Sequence, residues 1–266
     1  MAELKQLVVN ADDLGMSPSV NRGILFCSQK GIVSSASLMA NMPFFNEAVK
    51  LKIDFGIHLN LTGGKPLTKA KSLTGSNGEF RGGMIKRLLL GKFDREELRE
   101  EVNAQILKVK KHVKATHIDS HLHFHVFPFV ARIVAEQASN NKIKWIRLPD
   151  EPFQLGLGRQ HLNLIVLKSF SKKASRLYKQ HGLRRADKFY GIADTGRVRL
   201  ESFKKTLSFV KNGVTEIMCH PGYADRNLKG WLGETRAREV EVLTHPEIKD
   251  EIKKLGIKVT SFGGIR

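Results

Sequence analysis

Residues 5–39 read KQLVVNADDLGMSPSVNRGILFCSQKGIVSSASLM and contain two β-rich runs separated by a helix-length stretch. The runs at 5–10 and 32–39 have the length and composition of strands, whereas 19–30 has the spacing of an amphipathic helix. Two strands joined by a helix form a unit in which the strands lie parallel in one sheet. This stretch therefore predicts an α/β fold.

The same alternation continues along the whole chain. We predict eight strands, at 5–10, 32–39, 54–59, 116–121, 143–148, 188–192, 214–219 and 257–262. We predict helices near 19–30, 43–50, 94–112, 128–140, 161–181, 200–211 and 234–254, the last interrupted at Pro246. Eight strands with intervening helices predict a TIM-like (β/α) barrel, and a distorted or seven-stranded barrel is equally allowed. Residues 1–266 are expected to form one domain.

Two other segments have clear local signals. Asp94 is a candidate N-cap for the helix at 94–112, whose apolar stripe is Leu98, Val102, Ile106 and Val109. Residues 62–83, TGGKPLTKAKSLTGSNGEFRGG, are rich in Gly, Ser, Thr and Lys without periodicity, which predicts a long βα loop. A loop at that position could form a lid over a site.

The composition is that of an ordinary globular protein, with 41% hydrophobic and 27% charged residues. The first residues become polar too soon for a signal peptide, and no run of about 18 apolar residues is present. We therefore expect a soluble, cytoplasmic protein. Cys27 and Cys219 lie in apolar segments and are expected to be reduced, buried thiols.

The formal net charge of +19 would attract nucleic acid, anionic membranes or acidic substrates. A dense basic tract covers 168–185, and on a helix Lys168, Lys172, Arg176 and Lys179 would share a face. This face suits either a solvated barrel helix or peripheral contact with an anionic membrane. No nucleic-acid partner is expected, because no nucleic-acid-binding motif is present. Assembly as a homodimer is left open.

Polar residues follow most of the predicted strands. They are Asn10, Asp12 and Asp13 after the first, His58 in the third, Asp119, His121, His123 and His125 around the end of the fourth, Arg147 in the fifth, and His220 after the seventh. In a (β/α) barrel the carboxyl ends of the strands face one common site. Buried carboxylates and imidazoles are costly unless they are paired or bind a cation, so the set favours a metal site.

Each of these signals is weaker alone. The Asp12-Asp13 pair could form a turn or a helix cap, and His58 could be a core histidine with satisfied hydrogen bonds. In the run from His121 to His125, a period of two predicts that all three imidazoles lie on one side of an extended segment. One of them is expected to bind the metal, while the other two contact substrate or support the ligands.

Two charged residues near these histidines have alternative interpretations. Asp119 is expected to orient an imidazole. Arg147 could bind substrate, orient Asp12 or form a structural ion pair, and the sequence does not separate these roles.

The chain resembles the YdjC-type carbohydrate deacetylases, which include chitooligosaccharide deacetylases and a branch associated with hopanoid lipid biosynthesis. The resemblance covers almost the whole chain. It rests on VNADDLGMSPSVNRGI at 9–24, GIVSSASLM at 31–39, GIHLNLTGGKPL at 56–67, THIDSHLHFHVFP at 116–128 and CHPGY at 219–223. Several ordered motifs make this signal far more specific than any one of them.

The resemblance implies a metal-dependent hydrolase that deacetylates an N-acetylated amino sugar, either a chitooligosaccharide or an N-acetylglucosaminyl conjugate such as a glycolipid. Its metal ligands correspond to Asp13, His58 and His121, with one divalent ion, Mg or Zn. Asp12 then occupies the position of the catalytic base, and His220 that of a protonated acid on the opposite side. The strong positive charge is not explained by the resemblance.

The chemistry suits these residue types, because two imidazoles and a carboxylate leave open positions for water and the acetamide oxygen. His123, His125 and Arg147 are expected to contact the substrate.

Three alternatives remain. Another barrel hydrolase, such as an amidohydrolase or phosphoesterase, usually has its His-x-His pair on the first strand, where this chain has acids. A non-haem iron enzyme could share the ligand set. A non-catalytic carbohydrate- or lipid-binding module could retain the metal, but all five catalytic positions carry competent residues.

Overall fold

The computed structural model describes residues 4–152, 160–225 and 232–265, with the backbone alone at 160–164 and 232–234. Within these ranges the chain forms eight strands and nine α-helices. The strands are β1 (Lys5–Leu14), β2 (Ser35–Leu38), β3 (Asp54–Leu59), β4 (Ala115–Ser120), β5 (Trp145–Ile146), β6 (Lys188–Tyr190), β7 (Gly213–Cys219) and β8 (Lys258–Val259).

The strands form one parallel sheet that curls into a half-barrel. Its order is β5-β4-β3-β2-β1-β7-β6, and β8 pairs with the start of β1 at Gln6 and Leu7. A single parallel bridge between Trp145 and Arg184 links the β5 edge to the segment that leads into β6. The prediction of an α/β fold with a distorted barrel is therefore confirmed.

Helices flank this sheet. They are α1 (Pro18–Lys30), α2 (Phe45–Ala48), α3 (Met84–Leu89), α4 (Arg95–His112), α5 (Pro128–Asn140), α6 (Gln160–Gln180), α7 (Leu200–Ser208), α8 (Leu232–Thr244) and α9 (Pro246–Lys254). The break between α8 and α9 falls at the predicted proline, which has no N–H for a continuing helix. The short helix α3 was not predicted. In the described part of the chain, none of the helices combines the length and the apolar character needed to cross a lipid bilayer.

Local sequence signals explain where the clearest helix begins and what it buries. The Asp94 carboxylate accepts hydrogen bonds from the backbone N–H groups of Glu96 and Glu97, at 2.8 and 3.0 Å, and so caps α4. The predicted apolar stripe of this helix is fully buried. Cys27 and Cys219 are buried free thiols, as expected.

The loop at 62–83 is held closely against the protein. Glu101 of α4 is fully buried, and its carboxylate accepts hydrogen bonds from the backbone N–H groups of Leu67 and Thr68. An antiparallel bridge joins Thr74 to Phe80 within the loop. A cavity opens at the carboxyl edge of the sheet, and none of residues 62–83 lines it. The helix that follows the loop, α3, does line this cavity.

The end of β1 departs from regular strand geometry at the acidic pair. The register with β2 shifts between Ala11 and Leu14, and Asp13 has a left-handed backbone with φ of 68°. In a regular strand, neighbouring side chains point to opposite faces of the sheet. Because the bulge re-aims one of them, Asp12 and Asp13 both reach the cavity at this edge.

The histidine run after β4 is not extended, so that prediction is wrong. Residues His121–Val126 form a 3-10 turn in which Leu122 and His123 have left-handed backbones, with φ of 57° and 56°. The Ser120 hydroxyl accepts from the backbone N–H of His125 and bonds its Nδ1. The parallel ladder with β3 ends at the pair Leu59 and Ser120, beyond which the turn directs the three imidazoles differently.

Candidate active site

A cavity of about 460 Å³ opens at the carboxyl edge of the sheet. Its polar floor consists of Asp12, Asp13, His58, His121, His123 and His220. These side chains come from the ends of β1, β3 and β7 and from the turn after β4, as expected for a barrel-like sheet. The facing wall is apolar and is formed mainly by Ile85, Leu89, Leu122, Phe127, Val166 and Leu167.

Two buried atoms on the floor have no hydrogen-bond partner. They are Oδ1 of Asp13 and Nε2 of His58, which lie 3.4 Å apart in side chains that are each 1% exposed. Leaving buried polar atoms unpaired is costly, and buried atoms of this kind need an explanation such as a bound ion. Both atoms are of types that bind divalent metals.

A third ligand candidate lies beside them. The ring centroid of His121 is 6.0 Å from that of His58. The Nδ1 atom of His121 is 2.7 Å from the Thr62 hydroxyl, so its Nε2 is the nitrogen left for a ligand. One carboxylate oxygen and two imidazole nitrogens form a donor set that fits a divalent cation.

The far side of each ligand candidate is held in place. His58 Nδ1 lies 2.6 Å from Asp119 Oδ1, which favours the tautomer with the proton on Nδ1 and the lone pair on Nε2. The other oxygen of Asp13 accepts a hydrogen bond from Arg236 of α8. The predicted role of Asp119, orienting an imidazole, is what this geometry provides.

Asp12, His58 and Asp119 form a second cluster, with potential ligand atoms within 4.8 Å of one another. The oxygens of this cluster already have partners. Arg147 donates to both oxygens of Asp12, at 2.6 and 2.7 Å. Asp119 receives Arg147 Nη2 at 2.9 Å and the Ser37 hydroxyl at 2.7 Å. The cluster is buried and rich in ligand-type atoms, but its one atom without a hydrogen bond is His58 Nε2, which lies 3.4 Å from Asp13 Oδ1.

The charges of the site are set by burial and by these pairs. Burial lowers the pKa of His58, but the carboxylates of Asp119 and Asp12 outweigh it and raise that pKa to about 10. Burial raises the pKa of Asp13, yet Arg236 and His58 hold it well below its usual value. Without a cation, His58 is therefore protonated at neutral pH and forms an ion pair with Asp13 across 3.4 Å, so a metal must displace the proton on Nε2.

The structure does not support the expectation that His220 is protonated. Burial lowers the pKa of His220 to about 4, and the nearby carboxylates of Asp13 and Asp12 only partly oppose this. The imidazole is therefore neutral at pH 7. Its backbone is held from α8, since Glu239 accepts its N–H at 2.6 Å and Arg236 donates to its carbonyl.

The three predicted substrate-contact residues have different positions. His123 lines the cavity, and its buried Nδ1 has no hydrogen-bond partner. His125 faces inward, where Ser120 and the carbonyl of Arg147 occupy both ring nitrogens. The fully buried Arg147 side chain lies beneath the floor and does not line the cavity.

Arg147 thus has the contacts expected of a residue that orients Asp12. Besides Asp12 and Asp119, its guanidinium donates through Nε to Glu216 Oε1 at 2.7 Å. Three carboxylates around one cation use its planar fork of donors and fix the geometry of the whole group. Contact with substrate, the other prediction for Arg147, is incompatible with this placement.

The family model described as YdjC-like protein matches residues 6–254. The chain belongs to this family. Among the relatives of this YdjC-like chain, a carbohydrate deacetylase of Thermoanaerobacter pseudethanolicus is 32% identical, covering 97% of this chain and 98% of the relative. A chitooligosaccharide deacetylase of Yersinia pestis is 31% identical over the same shares. The family membership inferred from the motifs is therefore confirmed.

Solved structures agree with the barrel-like architecture of the YdjC-like chain. A protein of Enterococcus faecalis named for cellobiose-phosphate cleavage superposes with a TM-score of 0.81 at 27% identity, covering 98% of both chains. An uncharacterised protein of Agrobacterium tumefaciens superposes with a TM-score of 0.53 at 11% identity, which shows a shared fold only.

Three charged residues of this YdjC-like site were missed from the sequence. Glu216 interrupts the apolar run of β7, and an acidic residue within a buried strand could have indicated a functional residue. Arg236 and Glu239 lie on α8 among other charged residues, and nothing in their spacing separates them from a solvated helix face. Their burial, at 2% and 1% exposure, follows from the packing of that helix over the His220 segment.

Proposed function

We propose that this chain removes the N-acetyl group from an N-acetylated amino sugar, through attack of metal-activated water on the acetamide. The observation that carries the proposal is that two buried ligand atoms beside the Asp12 carboxylate, Asp13 Oδ1 and His58 Nε2, have no hydrogen bond. The names of the relatives, carbohydrate deacetylase and chitooligosaccharide deacetylase, support the reaction.

Asp13, His58 and His121 would hold the metal, because these side chains present open ligand atoms toward the cavity. The cluster around Asp119 is the less suitable set, since the oxygens of Asp12 and Asp119 are already bound by Arg147, Ser37 and His58, whereas Asp13 keeps one oxygen open. A bound divalent ion lowers the pKa of its water and polarises a carbonyl oxygen. Mg and Zn are the candidate metals, and zinc suits the two imidazoles better.

Asp12 would accept the proton of the attacking water. Its carboxylate faces the cavity, while Arg147 grips both oxygens and fixes their direction. Arg147 is itself held by Glu216 and Asp119, and for this reason the Asp12 carboxylate that it binds cannot rotate freely. Arg147 is in this view a positioning residue and not a substrate contact.

His220 would supply the proton that the leaving nitrogen needs as the C–N bond breaks. Since His220 is neutral in the free protein, this role requires that substrate or the reaction charge raise its pKa. His123 would donate or accept a hydrogen bond with a sugar hydroxyl, because its free Nδ1 lies at the cavity floor. The products are acetate and a free amino sugar.

The test is acetate release from a panel that runs from N-acetylglucosamine through short chitooligosaccharides to an N-acetylglucosaminyl lipid, with and without added divalent metal. We expect metal-dependent release that His58→Ala abolishes together with stoichiometric metal content. The exposed His112 serves as the matched control, and His112→Ala should retain both.

Silence across the whole panel with metal bound would contradict the proposal. Cytoplasmic location, assembly as a homodimer and the lack of a nucleic-acid partner remain predictions, as does the extent of the single domain.

A further inference from the structure

Large apolar side chains are exposed around the mouth of the cavity. Among the described residues, nine large hydrophobic side chains are exposed. Five of these lie in segments next to the cavity, and we call them the apolar rim: Leu90, Leu122, Phe129, Ile165 and Val166, at 53%, 54%, 43%, 50% and 48% exposure. Single exposed apolar residues need no explanation, but a contiguous group marks an interaction surface.

The rim and the inner wall of the cavity share two residues, and two more rim residues are chain neighbours of the wall. Leu122 and Val166 belong to both, and Ile165 is the chain neighbour of Val166. Leu90 directly follows Leu89 of the wall. The ring of Phe129 packs against the Gly91 backbone, where an added Cβ would lie 3.2 Å from it. Through Leu122 and Val166, which line the cavity and are also about half exposed, the apolar wall therefore reaches the outside of the protein.

Cations flank the rim on the same helical faces. Lys86 precedes Leu90 by four residues, Arg132 follows Phe129 by three, and Lys172 follows Ile165 by seven. All three cationic residues are exposed. An apolar patch with surrounding Lys and Arg is the pattern of proteins that insert side chains into an anionic lipid surface.

The positive charge of the protein argues against a second copy of the chain as the partner that binds the rim. Two rims facing each other would bring these cations together, and each chain carries a net charge of +19. Like charges facing across an interface oppose self-association. The same charge favours approach to a negatively charged bilayer.

We propose that the apolar rim docks on an anionic phospholipid surface, with the cavity mouth facing the bilayer. The rim side chains enter the interfacial region while Lys86, Arg132 and Lys172 meet the lipid phosphates. If the proposed deacetylation is right, on which this one consequence rests, the substrate reaches the cavity from the lipid side and its apolar portion follows the wall.

The test is co-sedimentation of the full chain with phosphatidylcholine vesicles, with and without phosphatidylglycerol, at low and high salt. We expect binding to the anionic vesicles at low salt and weaker binding at high salt, because salt screens the cationic contribution. The double variant Ile165→Glu, Val166→Glu should bind about tenfold or more weakly, since it withdraws two aliphatic side chains from lipid.

Leu107 offers the matched control, because it is 50% exposed on α4 and does not line the cavity. Leu107→Glu should bind vesicles as the unchanged protein does. Circular dichroism and thermal unfolding of both variants check that the fold is retained.

Three results would overturn the proposal: no vesicle binding at low salt, equal loss of binding in Leu107→Glu, or a dimer that the rim variant dissociates while the unchanged protein ignores vesicles. Sedimentation needs no turnover, so the two proposals fail separately. A chain that binds vesicles but releases no acetate contradicts only the deacetylase proposal, whereas release without binding contradicts only the docking proposal.

Discussion

Two adjacent carboxylates have different partners at the floor of the cavity. Both oxygens of Asp12 accept hydrogen bonds from Arg147. In Asp13, Oδ2 accepts a hydrogen bond from Arg236, whereas Oδ1 has no hydrogen-bond partner. The left-handed backbone of Asp13 allows the two neighbouring side chains to reach different partners. Such strain in a non-glycine residue persists only where the surroundings hold it, and it is common at functional sites.

Asp12→Asn should lower turnover sharply while leaving metal content intact, because the amide keeps the shape of the side chain but cannot accept a proton. We expect kcat to fall by about 10²- to 10⁴-fold, the usual contribution of a general base. Steady-state acetate release and metal analysis of the same preparation measure both effects. The paired variant Asp13→Asn should instead lower the metal content, and an active Asp12→Asn protein would disprove the base assignment.

The buried His125 should make the protein sensitive to acid. Burial lowers its pKa to about 4, while an unfolded histidine titrates near about 6.5. The unfolded chain therefore binds more protons between these values, so stability is present above about pH 6.5 and is lost as the pH falls toward 4.

This difference amounts to about 2 kcal/mol at about pH 5. His125→Gln removes the titrating group, and urea unfolding should show a correspondingly smaller loss of stability between about pH 7.5 and about pH 5. His112→Gln, at an exposed position, should leave the pH dependence unchanged. An identical pH dependence in His125→Gln and the unchanged protein would show that His125 is not responsible.

At the scale of elements, helix α1 sets the position of the segment that carries His220. The helix approaches so closely that a Cβ added at Gly23 would lie 2.4 Å from the Cα of Gly222. The backbone N–H of Tyr223 also donates to the carbonyl of Ser19, so two contacts join these elements. A glycine is required here because backbone meets backbone.

Gly23→Ala should therefore destabilise the protein and lower acetate release, although alanine is the better helix former by about 1 kcal/mol. The physical reason is that a methyl group would displace Gly222, and His220 with it. Thermal unfolding and kcat measure the two effects. Gly82→Ala is the matched control, since nothing lies within 4 Å of a Cβ there. Equal behaviour of the two variants would rule out the close contact as a constraint.

In the whole molecule, the cavity has a polar floor with ligand-type side chains and an apolar wall. We expect the wall to influence which substrates bind. We expect alkyl N-acetylglucosaminides to show a lower KM than the methyl glycoside, by about fourfold for each CH₂ that the wall buries. Leu89→Ser in the wall should reduce this dependence on chain length. Acetate release from a homologous glycoside series gives the measurement. Equal KM values for methyl and octyl glycosides would contradict a role of the wall in binding.

Several elements could be predicted from the sequence because their signals are local. All eight predicted strands overlap observed strands, although 143–148 and 257–262 shorten to Trp145–Ile146 and Lys258–Val259. Pairing length at a sheet edge depends on neighbours that are distant in the chain. The helix at 94–112 was placed within one residue, since its cap and its stripe both lie within the helix.

The candidate site could be predicted only in part from the sequence. That polar residues end the strands follows from the sequence, and parallel strands bring their carboxyl ends together. The directions of His121, His123 and His125 do not follow, because a left-handed turn replaces the extended segment. The burial of Arg147 among three carboxylates also depends on strands far apart in the chain.

The sequence by itself thus determined the α/β class, the order of the elements, the family and the set of ligand-type residues, because hydrophobic periodicity and ordered motifs are properties of the chain. Only the tertiary structure decided which atoms remain open, which cations neutralise Asp12 and Asp13, and where the apolar rim lies. Those features arise from contacts between residues that are distant along the chain, such as Asp13 with Arg236 and Gly91 with Phe129. The physical reason is that burial and pairing are set by three-dimensional neighbours, and a linear pattern does not specify them.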